Sequence, residues 1–249
     1  MSDWDPMNYL HEEPTPQCLH RVKEDIAKFS AQSPARLFIS PEENDITRVH
    51  VLMLGETGSP YEGGFFQFFV KFPSNYPLSP PRVRFLTTDG GRVYFHTYLY
   101  PCGKVCVAAL GTGGGRCDWS PTQSLSSTLV SIQSLVGDSV FDCAKIQYET
   151  IRVAVCDQVD AALREDDMCP PAFRKIILES FLESYGNYEA VIRPRLQTTR
   201  ALAELFTSCA YRIADYKALL TRLQGLKEKV EKEKKAEAAA AATAAENEN

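Results

Sequence analysis

Four short runs of β-type sequence between residues 36 and 87 constrain the fold of this chain more than any other feature. The runs cover residues 36–40, 47–55, 64–72 and 81–87. Because they sit close together along the chain, consecutive runs can pair through short connections. They therefore predict a meander of antiparallel strands.

The third run and the segment after it carry the clearest local signals. The apolar residues of the run alternate, and they are Phe66, Phe68, Val70 and Phe72. Gln67 and Lys71 fall on the opposite side, so the period of two predicts a half-buried strand. Residues 73–81 then contain four prolines. Since proline fixes φ and removes a backbone donor, we predict a rigid loop there.

Helices are predicted on both sides of the strands. Thr15 as N-cap and Pro16 in the first turn begin the first helix. Its apolar face recurs at steps of three and four and consists of Leu19, Val22, Ile26 and Phe29. A second helix is predicted to begin with a capping box formed by Ser120 and Gln123, and to end at Gly137.

The C-terminal part of the chain reads as further helices. They are predicted at residues 148–163, 171–191 and 211–230. The last of them carries an apolar stripe that consists of Leu219, Leu223, Leu226 and Val230. Beyond this stripe the sequence alternates Lys and Glu and then becomes rich in alanine, so we expect a helix that frays into disorder.

Charge and composition exclude several function classes. The formal net charge is −5 and no large basic block precedes the C-terminal tail, so nucleic acid is not an expected partner. No apolar run approaches the length that crosses a bilayer, and no membrane partner is expected. The acidic start at Asp3 and Asp5 does not resemble a secretory signal, which favours a cytoplasmic or nuclear location. The eight cysteines lack a C-x-x-C pair, so no metal site is predicted.

Residues 88–118 form a long irregular segment that contains Cys106. Such segments inside a compact domain are often functional. The run 111–115 (GTGGG) invites comparison with a phosphate-binding loop, but it lacks the Lys-Ser or Lys-Thr ending and the strand–loop–helix frame. We therefore interpret the run as flexible loop beside Cys106.

Three segments, taken in order, resemble the ubiquitin-conjugating enzyme family. They are 61–66 (YEGGFF), 75–81 (NYPLSPP) and 103–107 (GKVCV), with 119–121 (WSP) a short way on. The resemblance implies an α+β fold with an N-terminal helix, a four-stranded antiparallel sheet, an active-site loop and C-terminal helices. The helix, strands and rigid loop predicted above follow one another in that order.

Further segments resemble the large Z-type members of the family. They are 110–112 (LGT), 119–135, 149–157 (ETIRVAVCD) and 180–183 (SFLE). The resemblance implies a helical C-terminal extension. The domains expected from it are an N-terminal arm at 1–14, a conjugating-enzyme core at 15–165, the helical extension at 166–230 and a low-complexity tail at 231–249.

The resemblance implies that Cys106 is the nucleophile of a thioester carrier. Family members accept ubiquitin or a ubiquitin-like modifier from an activating enzyme and transfer it to a substrate lysine or a ligase. The expected partners are therefore the modifier, an activating enzyme and a ligase. ATP is consumed by the activating enzyme, so no cofactor is expected in this chain. Without the surrounding motif, Cys106 would read as one of several ordinary buried cysteines.

Two departures from the family pattern motivate an alternative function. His96 matches the family histidine and is interpreted as structural, but Tyr98 stands at the position of the family asparagine. Its hydroxyl can replace the amide donor, or the ring can be a packed aromatic with no catalytic part. Residues 137–145 also replace a longer Z-type segment. The alternative is a catalytically impaired variant that binds ubiquitin or a ligase. A third hypothesis is redox sensing by Cys102 with Cys106.

Partner surfaces follow from the resemblance residue by residue. Leu78, Trp119 and Pro121 match positions on the family's ligase-contact loops. The alternative for them is loop packing. The remaining matches resemble the basic face that the first helix offers to the activating enzyme, and they are Arg21, Lys23 and Lys28. The alternative for these three is a solvated helix face.

Overall fold

The computed structural model describes residues 4–32, 34–113, 115, 117–137, 143–164, 169–196 and 215–247. The chain divides into two compact units, Met1–Ala154 and Val155–Asn249. Among the helices of these described ranges, none is long and apolar enough to cross a membrane.

The first unit is built on one antiparallel sheet of four strands. The strands are β1 (Leu37–Pro41), β2 (Arg48–Leu54), β3 (Phe65–Lys71) and β4 (Arg82–Phe85). They pair in chain order, β1-β2-β3-β4, so the predicted meander is confirmed. The apolar side chains of β3 predicted to share one face, Phe66, Phe68, Val70 and Phe72, all belong to the main hydrophobic core.

Helix α1 (Pro16–Gln32) packs on that core. The predicted N-cap is confirmed, because Thr15 Oγ1 accepts a hydrogen bond from Cys18 N–H at 3.2 Å. The buried face differs slightly from the prediction, since Leu19 is only half-buried whereas Asp25 is buried. A charged residue therefore lies within the core-facing stripe of α1, and the contacts of Asp25 described below explain why.

The prediction of a half-buried β3 is wrong, because both faces of the strand are buried. Gln67 and Lys71 are 5% and 0% exposed. Lys71 Nζ donates to Asp45 Oδ2 at 2.8 Å and to Thr47 Oγ1 at 2.5 Å. Burial raises the pKa of Asp45, but the hydrogen bonds from Lys71 and Thr47 outweigh burial, so the pKa of this carboxyl lies below its usual range.

The N-terminal arm explains why the outer face of β3, the face that carries Gln67 and Lys71, is buried. It contains a 3-10 turn, Pro6–Tyr9, and binds three arginines of the neighbouring strands. Arg82 Nη1 donates to Glu12 Oε2 at 2.7 Å, and its guanidinium lies 3.6 Å from the centre of the Tyr9 ring. Arg84 donates to the Asp5 carboxylate and Arg48 to the Leu10 carbonyl. The alternation of β3 contains no information about this cover, which comes from a remote segment.

Helix α2 (Leu125–Gln133) begins one turn later than predicted. Its N-cap is Ser124, whose hydroxyl accepts from Ser127 N–H at 3.3 Å, and Ser127 Oγ accepts from Ser124 N–H at 3.0 Å in return. In a helix beginning at Ser120, Leu125 N–H would bond to the Pro121 carbonyl. Instead Leu125 N–H donates to Asp25 and the Pro121 carbonyl accepts from Arg21. Tertiary hydrogen bonds therefore override the local capping signal.

The end of α2 agrees with the prediction. A 3-10 turn, Ser134–Val136, follows the helix and stops at Gly137. A short helix α3 (Cys143–Glu149) and a π-helical stretch (Thr150–Asp157) come next. Residues 138–142, which fall in the segment predicted to be shortened relative to the Z type, lie outside the described residues.

The second unit is helical. It contains α4 (Gln158–Arg164), α5 (Pro171–Ile192) and α6 (Tyr216–Asn247). The predicted apolar stripe of the last helix is buried as expected: Leu219, Leu223, Leu226 and Val230. Predicted residues 211–214 of that helix lie outside the described residues. Contrary to the expected fraying, α6 continues to Asn247, because alanine is the strongest helix former and the tail is rich in it.

Candidate active site

Cys106 lies at the end of a small hairpin, residues 98–106, whose turn is hydrogen-bonded to the end of β4. Tyr100 N–H donates to the Lys104 carbonyl at 2.9 Å, and Cys106 N–H donates to the Tyr98 carbonyl at 2.8 Å. Leu99 and Val105 form an isolated antiparallel bridge between these bonds, and both side chains are fully buried. The hairpin therefore has a fixed base in the core, and it carries Cys106 at the point where the chain emerges to partial exposure.

Gly103 makes the hairpin turn possible. Its φ of 93° lies in the left-handed region that favours glycine. A Cβ at this position would lie 2.8 Å from the carbonyl oxygen of Phe85. The same close approach lets Phe85 N–H donate to the Gly103 carbonyl at 2.8 Å, which ties the hairpin to β4. The conformation of the hairpin turn and its contact with β4 therefore both favour glycine at position 103.

Thr112 follows Cys106 in the chain and folds back to bond with the residues on either side of it. Its hydroxyl donates to the Val105 carbonyl at 2.5 Å and accepts from Val107 N–H at 3.1 Å. Its carbonyl accepts from Cys106 Sγ at 3.5 Å. Thr112 is not among the predicted site residues. Two sequence signals include it, the LGT segment and a hydroxyl side chain inside a glycine-rich run, and neither reveals where the chain folds back.

His96 is buried, whereas the side chain of Tyr98 is exposed. His96 is 4% exposed, and its Nδ1 accepts from Tyr98 N–H at 3.2 Å. The ring of Tyr98 is 48% exposed and lies 5.5 Å from the His96 ring, centre to centre. The main chain of Tyr98 thus joins the buried His96 to the backbone of Cys106.

The proposed redox partner of Cys106 is also accessible. Cys102 and Cys117 are exposed free thiols, and Cys106 is free as well. Cys102 lies in the turn of the hairpin, next to Gly103. An oxidant-induced pairing of Cys102 with Cys106 stays a prediction.

The two loops that carry Leu78 and Pro121 are joined to each other. Trp119 Nε1 donates to the Pro77 carbonyl at 2.8 Å, and the Trp119 and Tyr76 rings lie 5.9 Å apart, centre to centre. Leu78 is 68% exposed and Pro121 is exposed as well. Trp119 thus packs between the loops, whereas Leu78 and Pro121 face solvent.

Arg21 and Asp25 of α1 connect these two loops to the helix by hydrogen bonds. Asp25 is 1% exposed and accepts from Leu125 N–H at 3.0 Å, from Arg21 Nε at 3.0 Å and from the Tyr76 hydroxyl. Arg21 also donates to the Pro121 carbonyl at 2.9 Å and to the Gln123 carbonyl at 2.5 Å. The two residues consequently fasten the proline-rich loop and the start of α2 to one helix.

Two donors to Asp25, the Tyr76 hydroxyl and the Arg21 guanidinium, have pKa values raised above their usual range. Burial raises the pKa of Tyr76, and the hydrogen bond to Asp25 raises it further. For Arg21, burial lowers the pKa, but the hydrogen bond and charge of Asp25 outweigh burial and the net shift is upward. The other two predicted basic residues of α1, Lys23 and Lys28, are exposed. Asp25 was not predicted, although its position between Val22 and Phe29 on the apolar stripe is a signal that could have found it.

Comparison with known proteins identifies the class to which this fold and site belong. A family model described as ubiquitin-conjugating enzyme matches residues 21–154. The chain therefore belongs to the ubiquitin-conjugating enzyme family. It is similar to Ubiquitin-conjugating enzyme E2 Z of Xenopus tropicalis, at 38% identity over an alignment that covers 92% of this chain and 78% of the relative.

Two further proteins are similar to this chain. Ubiquitin-conjugating enzyme E2 Z of Homo sapiens is 38% identical over an alignment that covers 92% of this chain and 69% of the relative. A crystal structure of ubiquitin conjugating enzyme E2 from Plasmodium falciparum is similar with a TM-score of 0.44 at 25% identity, covering 52% of this chain and 91% of that chain. The predicted resemblance to the family and to its large Z type is confirmed by the sequence relatives.

Proposed function

We propose that this chain carries ubiquitin or a ubiquitin-like modifier as a thioester on Cys106 and transfers it to a substrate lysine or a ligase. The observation that carries the proposal is the setting of Cys106. Cys106 is partly exposed, while the backbone on both sides of it is held by hydrogen bonds with the Tyr98 carbonyl and the Thr112 hydroxyl. An accessible thiol on a fixed backbone suits a nucleophile that must meet a large acyl donor.

The proposed transfer balances without a cofactor in this chain. The thiolate of Cys106 attacks the thioester carbonyl on the activating enzyme, and a new carbon–sulfur bond forms as the old one breaks. The activating enzyme regains its thiol, taking up the proton that Cys106 lost. A substrate amine or a ligase thiol then attacks the Cys106 thioester, and Cys106 leaves as a thiolate that is protonated again.

Partner contacts are proposed for the exposed residues of the predicted set. Leu78 and Pro121 lie on loops that Trp119 joins, and both are available to a ligase. Lys23 and Lys28 are available to the activating enzyme. Arg21 is engaged in hydrogen bonds with Asp25, Pro121 and Gln123, so its proposed part is to hold the ligase-facing loops.

Tyr98 acts in this proposal through its main chain. Replacing Tyr98 by Phe is therefore expected to change the rates of charging and of discharge to free lysine by less than about threefold, whereas loss of an oxyanion donor costs about a hundredfold or more. Single-turnover rates measured on gels check this, with the exposed Tyr100→Phe as matched control. A discharge rate lowered a hundredfold in Tyr98→Phe alone would show instead that the hydroxyl takes the part of the family amide.

The alternative function is a non-catalytic module that binds ubiquitin or a ligase. The observation that favours it is the exposed phenol of Tyr98 at the position where the family carries asparagine. It predicts binding without thioester formation.

A charging assay separates the two functions. The purified chain is mixed with ATP, ubiquitin and an activating enzyme that serves Z-type relatives, then run on gels with and without thiol reductant. The proposal predicts a shifted band that reductant removes. Absence of that band from folded protein, with a second activating enzyme also tried and a conjugating enzyme of known activity charged in parallel, would favour the binding module.

A further inference from the structure

The hydroxyl of Thr112 bridges the two residues that flank Cys106. It donates to the carbonyl of Val105, before the cysteine, and accepts from the N–H of Val107, after it. The carbonyl of the same residue accepts from Cys106 Sγ at 3.5 Å. One residue thus contacts the polar atoms before, at and after the sulfur-bearing position.

The chain between Cys106 and Thr112 is folded so that this bridge can form. A 3-10 turn, Ala108–Leu110, follows the cysteine, and Leu110 is buried beneath it. Gly111 then adopts a left-handed conformation with φ of 65°, and a Cβ there would lie 2.9 Å from Cys117 Sγ. Asp118 N–H donates to the Ala108 carbonyl at 3.1 Å, which holds the far side of the turn. Gly111 is therefore the point at which the chain reverses and brings Thr112 back to Cys106.

Two backbone hydrogen bonds also support the segment around Cys106, and one of them joins Leu110 N–H to the Val107 carbonyl at 3.1 Å. The hairpin fixes Cys106 N–H through the Tyr98 carbonyl. Without the Thr112 hydroxyl, the Val107 N–H loses a bond and the Val105 carbonyl loses a donor, so the peptide units on both sides of Cys106 are held less firmly. A displacement of about 1 Å at a reacting atom can cost about a hundredfold in rate.

We propose that Thr112 is a positioning residue for acyl transfer at Cys106, a role that rests on the proposed thioester function. Its hydroxyl sets the direction of the Cα–Cβ bond of Cys106 by holding the peptide units on both sides. In the thiol form the S–H donates to the Thr112 carbonyl at 3.5 Å, which holds the sulfur in place until the proton is lost. Thr112 takes no proton and forms no bond to the modifier.

Three substitutions and one control test this role. Thr112→Val keeps the shape but removes the hydroxyl, Thr112→Ala removes hydroxyl and methyl together, and Thr112→Ser restores the hydroxyl alone. Thr221→Val is the matched control, because Thr221 is an exposed residue of α6 whose hydroxyl bonds only to the Lys217 carbonyl of its own helix among the contacts described.

The measurement is single-turnover charging by a ubiquitin-loaded activating enzyme, followed by discharge to free lysine. The endpoint of charging reports the fraction of folded, chargeable protein, and the rate constant reports positioning. We expect the rate constants of Thr112→Val and Thr112→Ala to fall by about tenfold to a hundredfold. We expect Thr112→Ser and Thr221→Val to stay within about threefold of the wild type, with similar endpoints for all four.

The outcomes separate the two proposals. Charging of Thr112→Val and Thr112→Ala at the wild-type rate would overturn the role of Thr112 while leaving the carrier function intact. A reduced endpoint with an unchanged rate constant would also overturn it, because the residue would then serve folding alone. Failure of the wild type to charge would overturn the carrier function, and the role of Thr112 with it.

Discussion

Replacing Cys106 by Ala is expected to abolish the reductant-sensitive conjugate completely, and replacing it by Ser to convert the conjugate to a reductant-resistant ester. The reason is chemical. Alanine has no nucleophile, whereas serine forms an oxygen ester that thiols do not exchange. The backbone around the partly exposed Cys106 is held by hydrogen bonds to the Tyr98 carbonyl and the Thr112 hydroxyl. The serine hydroxyl should therefore occupy nearly the same position as the thiol.

The matched controls for this prediction are two other exposed cysteines of the same unit. Cys102→Ser and Cys117→Ser remove free thiols close in sequence to Cys106. Both variants should charge like the wild type and lose the conjugate on reduction. A conjugate that persists in Cys106→Ala, or that disappears in Cys102→Ser or Cys117→Ser, would place the carrier thiol elsewhere.

Replacing Asp25 by Ala is expected to lower the free energy of unfolding by about 3–5 kcal/mol. The carboxylate accepts hydrogen bonds from the Tyr76 hydroxyl, Leu125 N–H and Arg21, and it is 1% exposed. Its removal leaves a phenol and a backbone N–H without their partner, and leaves a guanidinium that is four-fifths buried without its counter-charge.

Denaturant unfolding at neutral pH checks this prediction. Glu24→Ala on the same helix is the matched control, because Glu24 lies on the exposed face and pairs only with His20 at 3.5 Å among the contacts described. Its effect should stay within about 0.5 kcal/mol. Asp25→Asn should lie between the two, since the amide keeps one oxygen acceptor. Equal effects of Asp25→Ala and Glu24→Ala would contradict the idea that this carboxylate holds the two loops.

The fold was predictable where local pattern and tertiary environment agree. Period-two alternation located β3 because Phe66, Phe68 and Val70 pack on the core whatever lies on the other face. The proline-rich segment could only be a loop, and Thr15 could cap α1 with a bond to its own helix. In each case a short stretch of sequence contains the whole physical cause.

Prediction failed where a remote segment supplies the partner. The outer face of β3 is buried by the N-terminal arm through arginines on neighbouring strands, which no property of β3 reveals. The start of α2 moved to Ser124 because Asp25 and Arg21, about a hundred residues earlier, take the N–H and the carbonyl that the first turn would have used. Local capping rules do not include such competitors.

The candidate site divides in the same way. Cys106, Leu78 and Pro121 were predicted as site residues from motifs, and their roles stay predictions, although all three are at least partly exposed. Thr112 and Asp25 could not be assigned a role, because each works through the polar atoms that the folded chain brings to it. For Arg21, the motif position predicts a contact with the activating enzyme. In the folded chain its guanidinium instead donates to the carbonyls of Pro121 and Gln123.

The most direct test of the carrier function is to locate the acyl group on the charged wild-type protein by mass spectrometry. The chain has eight cysteines, so the position is informative. After charging with ubiquitin, the intact mass should increase by one ubiquitin less one water. Free thiols are then blocked, and digestion should place the thioester on Cys106 alone. A thioester on another cysteine, or no thioester while a known conjugating enzyme charges in the same mixture, would contradict the proposed function.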